Sequence, residues 1–108
     1  VKLKTICSTG SPLSSDCFKF VYKNIKKNVH LASISGGTDI VSCFVLGNLY
    51  QSVHAGEIQS KGLGMDVRVF NEKGKSILNQ KGELVCTNPF PSMPPKFWND
   101  HKDTKFKK

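Results

Sequence analysis

Residues 15–34, SDCFKFVYKNIKKNVHLASI, decide the reading of the fold, because the hydrophobic period changes within them. Phe18, Val21, Tyr22 and Ile25 recur at i, i+3, i+4 and i+7, the spacing of one helical face. Ser14 or Ser15 can cap such a helix, and Asp16 falls in its first turn, where a negative charge suits the dipole. Lys26 and Lys27 fall in the last turn, and Asn28 follows as a stop. The spacing predicts a helix from about Ser15 to Lys27. Val29–Ile34 then reads as a strand, and upstream Val1–Ser8 reads as another, with Leu3, Ile6 and Cys7 apolar and Gly10 ending it. The first third is therefore a strand-helix-strand unit whose strands are parallel neighbours in one sheet.

Immediately after the second strand comes SGGTDI, residues 35–40, leading into the apolar block Ile40–Leu46. Two adjacent glycines followed by a hydroxyl and a carboxylate are an unusual joint between two buried-looking segments. A parallel unit places its post-strand loops at one end, so Gly10-Ser11-Pro12 and Gly36-Gly37-Thr38-Asp39 share that end. Ligands of open α/β sheets bind there, beyond the carboxyl ends of the strands. Small residues let a nucleotide approach the backbone, Thr38 offers a hydroxyl to a phosphate oxygen, and Asp39 offers a hard oxygen to magnesium. Plain structural turns satisfy the same pattern, and the residues alone leave both readings open.

The character of the chain shifts near residue 50. Glycines recur at 56, 62, 64, 74 and 82, and separate short segments with strand patterning. Met65–Val69 alternates, NEKGK and NQKG make turns, and Glu83–Cys86 is a further strand, which predicts a small antiparallel meander or piece of barrel. From Asn88, NPFPSMPPKFWND carries four of the five prolines together with Phe90, Phe97 and Trp98. Proline at this density removes ladder donors and forces an irregular path. Phe90, Met93, Phe97 and Trp98 could bury against each other or against a neighbouring domain. The expected class is α/β plus β, with residues 1–50 the end of a nucleotide-binding α/β subdomain and 51–108 a β-rich, distorted-barrel subdomain.

With 108 residues, 38% apolar and 9% aromatic, the chain can bury one modest core and is not a disordered tail. No apolar run approaches the roughly 20 residues that cross a bilayer, and the start, VKLKTICSTG, lacks the apolar core of a signal peptide. A cytoplasmic protein without a membrane partner is the expectation. Cys7, Cys17, Cys43 and Cys86 are far apart, form no C-x-x-C pair and sit among apolar neighbours, as buried free thiols do. The formal charge is +8, yet fifteen of the sixteen basic residues are lysine and only Arg68 is a guanidinium. Readout of nucleic acid leans on arginine. A solvated lysine surface is therefore expected, and no nucleic-acid partner.

SISGGTDI at 33–40, HAGEIQSKGLGMDVRVFNEKGK at 54–75 and KGELVCTNPFPSMPPKFWND at 81–100 together resemble the acetoacetate–CoA ligases of the adenylate-forming superfamily. The resemblance runs from about Leu3 to Asp100, with the motifs in the family's order. Its most specific piece is GELVCTNPFPSMPPKFWND, and GGTDI is specific too, because the wider superfamily usually has Thr-Glu there. The resemblance implies that Gly10, Ser11 and Pro12 lie against adenine and ribose. It implies that Ser33, Ile34, Ser35, Gly36, Gly37 and Thr38 wrap the adenylate, with the Thr38 hydroxyl near the α-phosphate. Asp39 would help hold Mg2+, so that Thr38 and Asp39 are the catalytic pair. Gly36 falls where acetate-using relatives carry a tryptophan, which leaves room for a larger acyl group. Gly82-Glu83-Leu84 matches a structural motif.

The implied substrates are ATP, released as AMP, acetoacetate and coenzyme A. Three parts the superfamily needs are not found in this chain: a phosphate loop with a lysine, a Thr-Gly-Asp aspartate for the ribose, and a lysine on a mobile C-terminal domain. The resemblance thus implies a fragment, partnered by the remaining domains of the same ligase.

Overall fold

The computed structural model describes residues 2–102 and Lys105. Val1 and positions 103, 104 and 106–108, on which the ends of the first strand and of the β-rich region were expected, lie outside the described residues. Strand β1 is Thr5–Ser8, helix α1 is Ser15–Phe20 and β2 is His30–Ser33. β1 and β2 pair in parallel, with Thr5 opposite His30 and Ser8 opposite Ser33, as the strand-helix-strand pattern requires.

The helix begins as expected but is shorter. Ser14 caps it, its hydroxyl accepting the Cys17 N–H at 3.3 Å, and Asp16 lies in the first turn. Beyond Phe20 the coil widens into π-helical turns over Val21–Ile25, closed by Lys26 N–H donating to the Val21 carbonyl at 3.0 Å. The Asn24 side chain explains the change: its amide donates to the Phe20 carbonyl at 3.1 Å, the acceptor an α-helix would reserve for the Asn24 backbone N–H. Lys26 is already extended, so Lys26, Lys27 and Asn28 lie past the helix rather than in its last turn. The Lys26 ammonium instead donates to the Leu3 carbonyl, tying the end of the helix to the approach to β1.

The predicted apolar face is only partly covered. Phe18 is fully buried and Val21 and Tyr22 are half-buried, whereas Ile25 is exposed. Tyr22 also accepts the Leu31 N–H at 3.4 Å, which meets the edge of β2 turned away from β1. Val29, Leu31, Ala32 and Ser33 are all buried, so this strand carries much of the small core. Burying a side chain such as Phe18 or Leu31 contributes roughly 1.5–3 kcal/mol.

The remaining strands are antiparallel. β3 (Ser35–Gly37) turns through Thr38–Val41 into β4 (Ser42–Leu46), which also pairs with β5 (Ser60–Lys61). Ile40 and Val41, at the start of the apolar block, therefore sit on a hairpin turn; Val41 is exposed, with φ +48°. β6 (Val67–Phe70) pairs with β7 (Glu83–Cys86), Val67 opposite Cys86 and Phe70 opposite Glu83. The turn between them is an Asn71 device: its side-chain oxygen accepts the Lys73 and Lys75 N–H groups, both at 3.0 Å, with Gly74 at φ +71°. One short helix and several strands in three small sheets make up the described chain.

One expectation needs correction. The cysteines are not buried: Cys7 and Cys17 are exposed and Cys43 and Cys86 half-buried, all as free thiols, because β1 and α1 turn them away from the core. The C-terminal aromatics differ in their burial. Phe90 docks edge-on against Phe44, ring centroids 6.0 Å apart, while Met93 and Phe97 stay exposed and Trp98 is 93% exposed.

Candidate functional site

Because β1 and β2 run parallel in register, the chain leaves both at the same end, and Ile34 N–H donating to the Ser8 carbonyl at 2.9 Å marks the last shared rung. Beyond it the two loops diverge around a cleft of about 530 Å3. Gly10, Ser11 and Pro12 line one side and Ser33, Ile34, Ser35 and Gly36 the other. Val45, Gly56, Ile58 and Leu84 complete its wall. Gly10 adopts φ +91°, which a side chain would strain, so the first loop depends on glycine at its bend. Gly56 (φ +83°) brings the His54–Glu57 turn against the start of α1, where a Cβ would lie 2.7 Å from the Ser15 hydroxyl.

Seven of the candidate residues thus share one cleft, and three do not. Gly37 ends β3, and Thr38 and Asp39 stand exposed on the turn beyond it, outside the lining. Asp39 is a lone carboxylate: among the described residues no three His, Cys, Asp or Glu side chains form a metal-binding group. That donor set does not make an all-protein cage. It fits the way magnesium is shared between one carboxylate, water and substrate phosphates.

Gly36 has a packing reason as well as a place in the cleft. It follows a register shift in the β3–β4 ladder, and a Cβ there would lie 2.3 Å from the Ser42 carbonyl oxygen and 2.7 Å from Cys43 Cα. The space its absent side chain leaves is occupied by the β4 backbone. Leu84, read from sequence as part of a structural motif, also faces the cleft.

Two polar anchors escape a motif reading. Asp66 Oδ1 accepts Arg68 Nε at 3.1 Å, and Oδ2 accepts Arg68 Nη2 at 3.3 Å together with Thr87 Oγ1 and Asn88 Nδ2, both at 2.7 Å. The Arg68 guanidinium, and after it the Thr87 hydroxyl, hold the Asp66 carboxyl below the usual carboxylate range, and Asp66 in turn raises Arg68. The chain's one arginine is therefore engaged within the fold, paired with the carboxylate that staples the start of β6 to the residues after β7. Gln59 is the second anchor. Its amide bonds Asn48, Gln51 and His30 at once. No pattern of spacing signals either residue, since what each ties together, residues 66 and 87–88 or residues 30, 48, 51 and 59, lies apart in sequence.

No helix among the described residues is long and apolar enough to cross a membrane. No protein-family model matches the chain. Individual proteins do. The chain is 60% identical over 105 residues to an acetoacetyl-coenzyme A synthetase of Rhizobium meliloti (strain 1021), an alignment covering 97% of this chain and 16% of that protein. It is 53% identical over 106 residues to the acetoacetyl-CoA synthetase of Gallus gallus, again 16% of that protein. Among solved structures, the acetoacetyl-CoA synthetase from Streptomyces lividans superposes with a TM-score of 0.82 at 39% identity, covering 95% of this chain and 16% of that one. The chain spans about 16% of the length of these relatives, and over nearly the whole of its own length it is homologous to the acetoacetyl-CoA synthetases.

Proposed function

We propose that this chain is a segment of an ATP-dependent acetoacetate–CoA ligase, and that the cleft beyond β1 and β2 is one wall of its nucleotide site. The observation that carries the reading is the convergence of Gly10–Pro12 and Ser33–Gly36 on a single cleft at the carboxyl ends of parallel strands. Identity of 60% to an acetoacetyl-CoA synthetase supports the substrate class. In the proposed reaction a carboxylate oxygen of acetoacetate attacks the α-phosphorus of ATP, the bond to pyrophosphate breaks, and acetoacetyl-adenylate forms. The coenzyme A thiolate then attacks the acyl carbon and AMP leaves with the electron pair of the broken bond.

This chain's share is positioning. The Gly10–Pro12 bend and the Ser33–Gly36 strand hold the adenosine and the α-phosphate between them, and the Thr38 hydroxyl donates to a phosphate oxygen from the hairpin turn. Asp39 would hold Mg2+ together with phosphate oxygens, and the ion would supply neutralising charge around the phosphates. Gly36 would border the acyl group. Residues 1–50 are proposed as the end of an α/β subdomain and 51–108 as part of a β-rich distorted barrel. Because β4 pairs with β5 across that division, the two would share a sheet. The remaining domains of the ligase would supply the other groups, and the enzyme would work in the cytoplasm.

The test is acetoacetate-dependent ATP–pyrophosphate exchange by the longer protein that carries this chain. Exchange that requires acetoacetate is the expected result. Exchange driven better by another short acid would move the substrate assignment, and none with any acid would sink the ligase reading.

A further inference from the structure

Gln59 sits where two parts of the cleft are tied together, and every bonding position of its amide is filled. Oε1 accepts the Asn48 N–H at 2.8 Å and lies 2.7 Å from His30 Nε2. Nε2 donates to the Asn48 carbonyl at 2.9 Å and to the Gln51 carbonyl at 2.8 Å. Two carbonyls facing one end fix which end is nitrogen, so the oxygen faces His30, and the His30 Nε2 must carry the proton it donates. The tie is therefore directional at both ends.

What it joins matters more than the bonds themselves. His30 opens β2, the strand that ends at Ser33 and delivers Ser33–Gly36 to the cleft. Gln59 itself closes the segment in which Gly56 and Ile58 complete the wall of the cleft, and it immediately precedes β5. Asn48 and Gln51 belong to the connection between β4 and that segment. There is no slack at this junction: a Cβ on Gly47 would lie 2.6 Å from Ala32 Cβ and 2.8 Å from His30 Cε1. We infer that Gln59 is a positioning residue for the nucleotide cleft, fixing the separation of its Ser33–Gly36 and Gly56–Ile58 walls without touching the ligand. This deepens the ligase reading and rests on it for the identity of the ligand.

Two measurements test the inference. Gln59→Met keeps the side chain's length while removing all four bonds. In the isotope-labelled longer protein, its amide shift changes should extend beyond Asn48–Gln51 to Ser33–Gly36 and Gly56–Ile58. Changes confined to residues 48–51 would overturn the inference. In the longer protein, Gln59→Met should raise the KM for ATP at least fivefold with kcat within twofold of wild type. Phe90→Leu, which weakens the Phe44 contact away from the cleft, is the control for general loosening and should leave that KM unchanged. An unchanged KM in Gln59→Met, or an equal rise in Phe90→Leu, overturns the inference.

If Gln59→Met does not fold, His30→Leu, which removes only the bond to β2, decides both measurements, with a KM rise of at least twofold expected and no rise counting against. Should the wild-type longer protein show no acetoacetate-dependent exchange, the ligase reading falls, while the amide shifts still decide the role of Gln59.

Discussion

Replacing Gly36 with alanine separates what this position does for the fold from what it does for an acyl group. The added Cβ would lie 2.3 Å from the Ser42 carbonyl oxygen and 2.7 Å from Cys43 Cα, both main-chain atoms that cannot rotate away. Ordinary contact begins near 3.5 Å, so β3 must withdraw from β4 by about an ångström. β3 is only three residues long and already carries a register shift, so its ladder to β4 has little to hold it. Overpacking of this kind costs about 1–3 kcal/mol, and a disrupted ladder hydrogen bond adds about 1 kcal/mol. The expected loss is roughly 2–4 kcal/mol, or on the order of 10–25 °C in Tm for a chain of this size. Gly37→Ala is the internal comparison: its Cβ would meet nothing nearer than Ile40 Cγ1 at 3.9 Å, and its Tm should stay within a few degrees. Thermal unfolding followed by circular dichroism reads both. If Gly36→Ala melts like Gly37→Ala, the close approach of β3 and β4 is not what requires glycine. Gly36→Trp, which would introduce the residue that the resemblance assigns to acetate-using relatives at this place, would then be an unencumbered test of acyl size.

Other outcomes follow from single contacts. Asp39→Ala, on an exposed turn, should lower acetoacetate-dependent pyrophosphate exchange of the longer protein at least tenfold with Tm nearly unchanged, and wild-type exchange would remove Asp39 from the chemistry. Asp66 has a folded pKa below its unfolded value of about 3.9, so its stabilisation is complete above that pH and is lost as pH falls through the depressed folded value. Asp66→Asn should therefore flatten the acid limb of the stability curve. An acid-unfolding midpoint identical to wild type would show that the Arg68–Asp66–Thr87 staple contributes nothing there. Ser14→Ala removes the acceptor for the Cys17 N–H and should cost about 1 kcal/mol, read as a Tm loss of roughly 4–8 °C; no loss would mean that water replaces the cap.

The elements legible in the sequence are those whose signals are local. Phe18, Val21 and Tyr22 announce a helix face, Ser14 announces its start, and Asn71–Gly74 announces a hairpin, because each depends on neighbours a few residues away. The end of the helix departs from the expected one for a local reason that periodicity ignores. Asn24 can compete with its own backbone for the Phe20 carbonyl, and nothing in the apolar spacing reports that competition. The exposure of Ile25 and Trp98 is invisible for a different reason. Hydrophobic residues state that they should be covered, but not whether the covering surface lies within these 108 residues.

The candidate site divides along the same line. That Gly10–Pro12 and Ser33–Gly36 meet follows from one topological rule, since parallel strands joined by a helix end at the same edge, and so it could be read in advance. That Thr38 and Asp39 stand outside the cleft could not, because it depends on β3 folding back on β4 as a hairpin, a pairing set by the missing Cβ of Gly36. The same hairpin gives the arrangement its chemical sense. A nucleotide seated between the two loops would extend its phosphates toward the turn, where a hydroxyl and a carboxylate are presented by a short, tightly packed ribbon. Glycine at 36 lets the ribbon close, and closure is what sets Thr38 and Asp39 on the exposed turn beyond the cleft. On the proposed site, a variant that opens the hairpin should therefore lose fold and chemistry together, whereas Asp39→Ala should lose the chemistry alone.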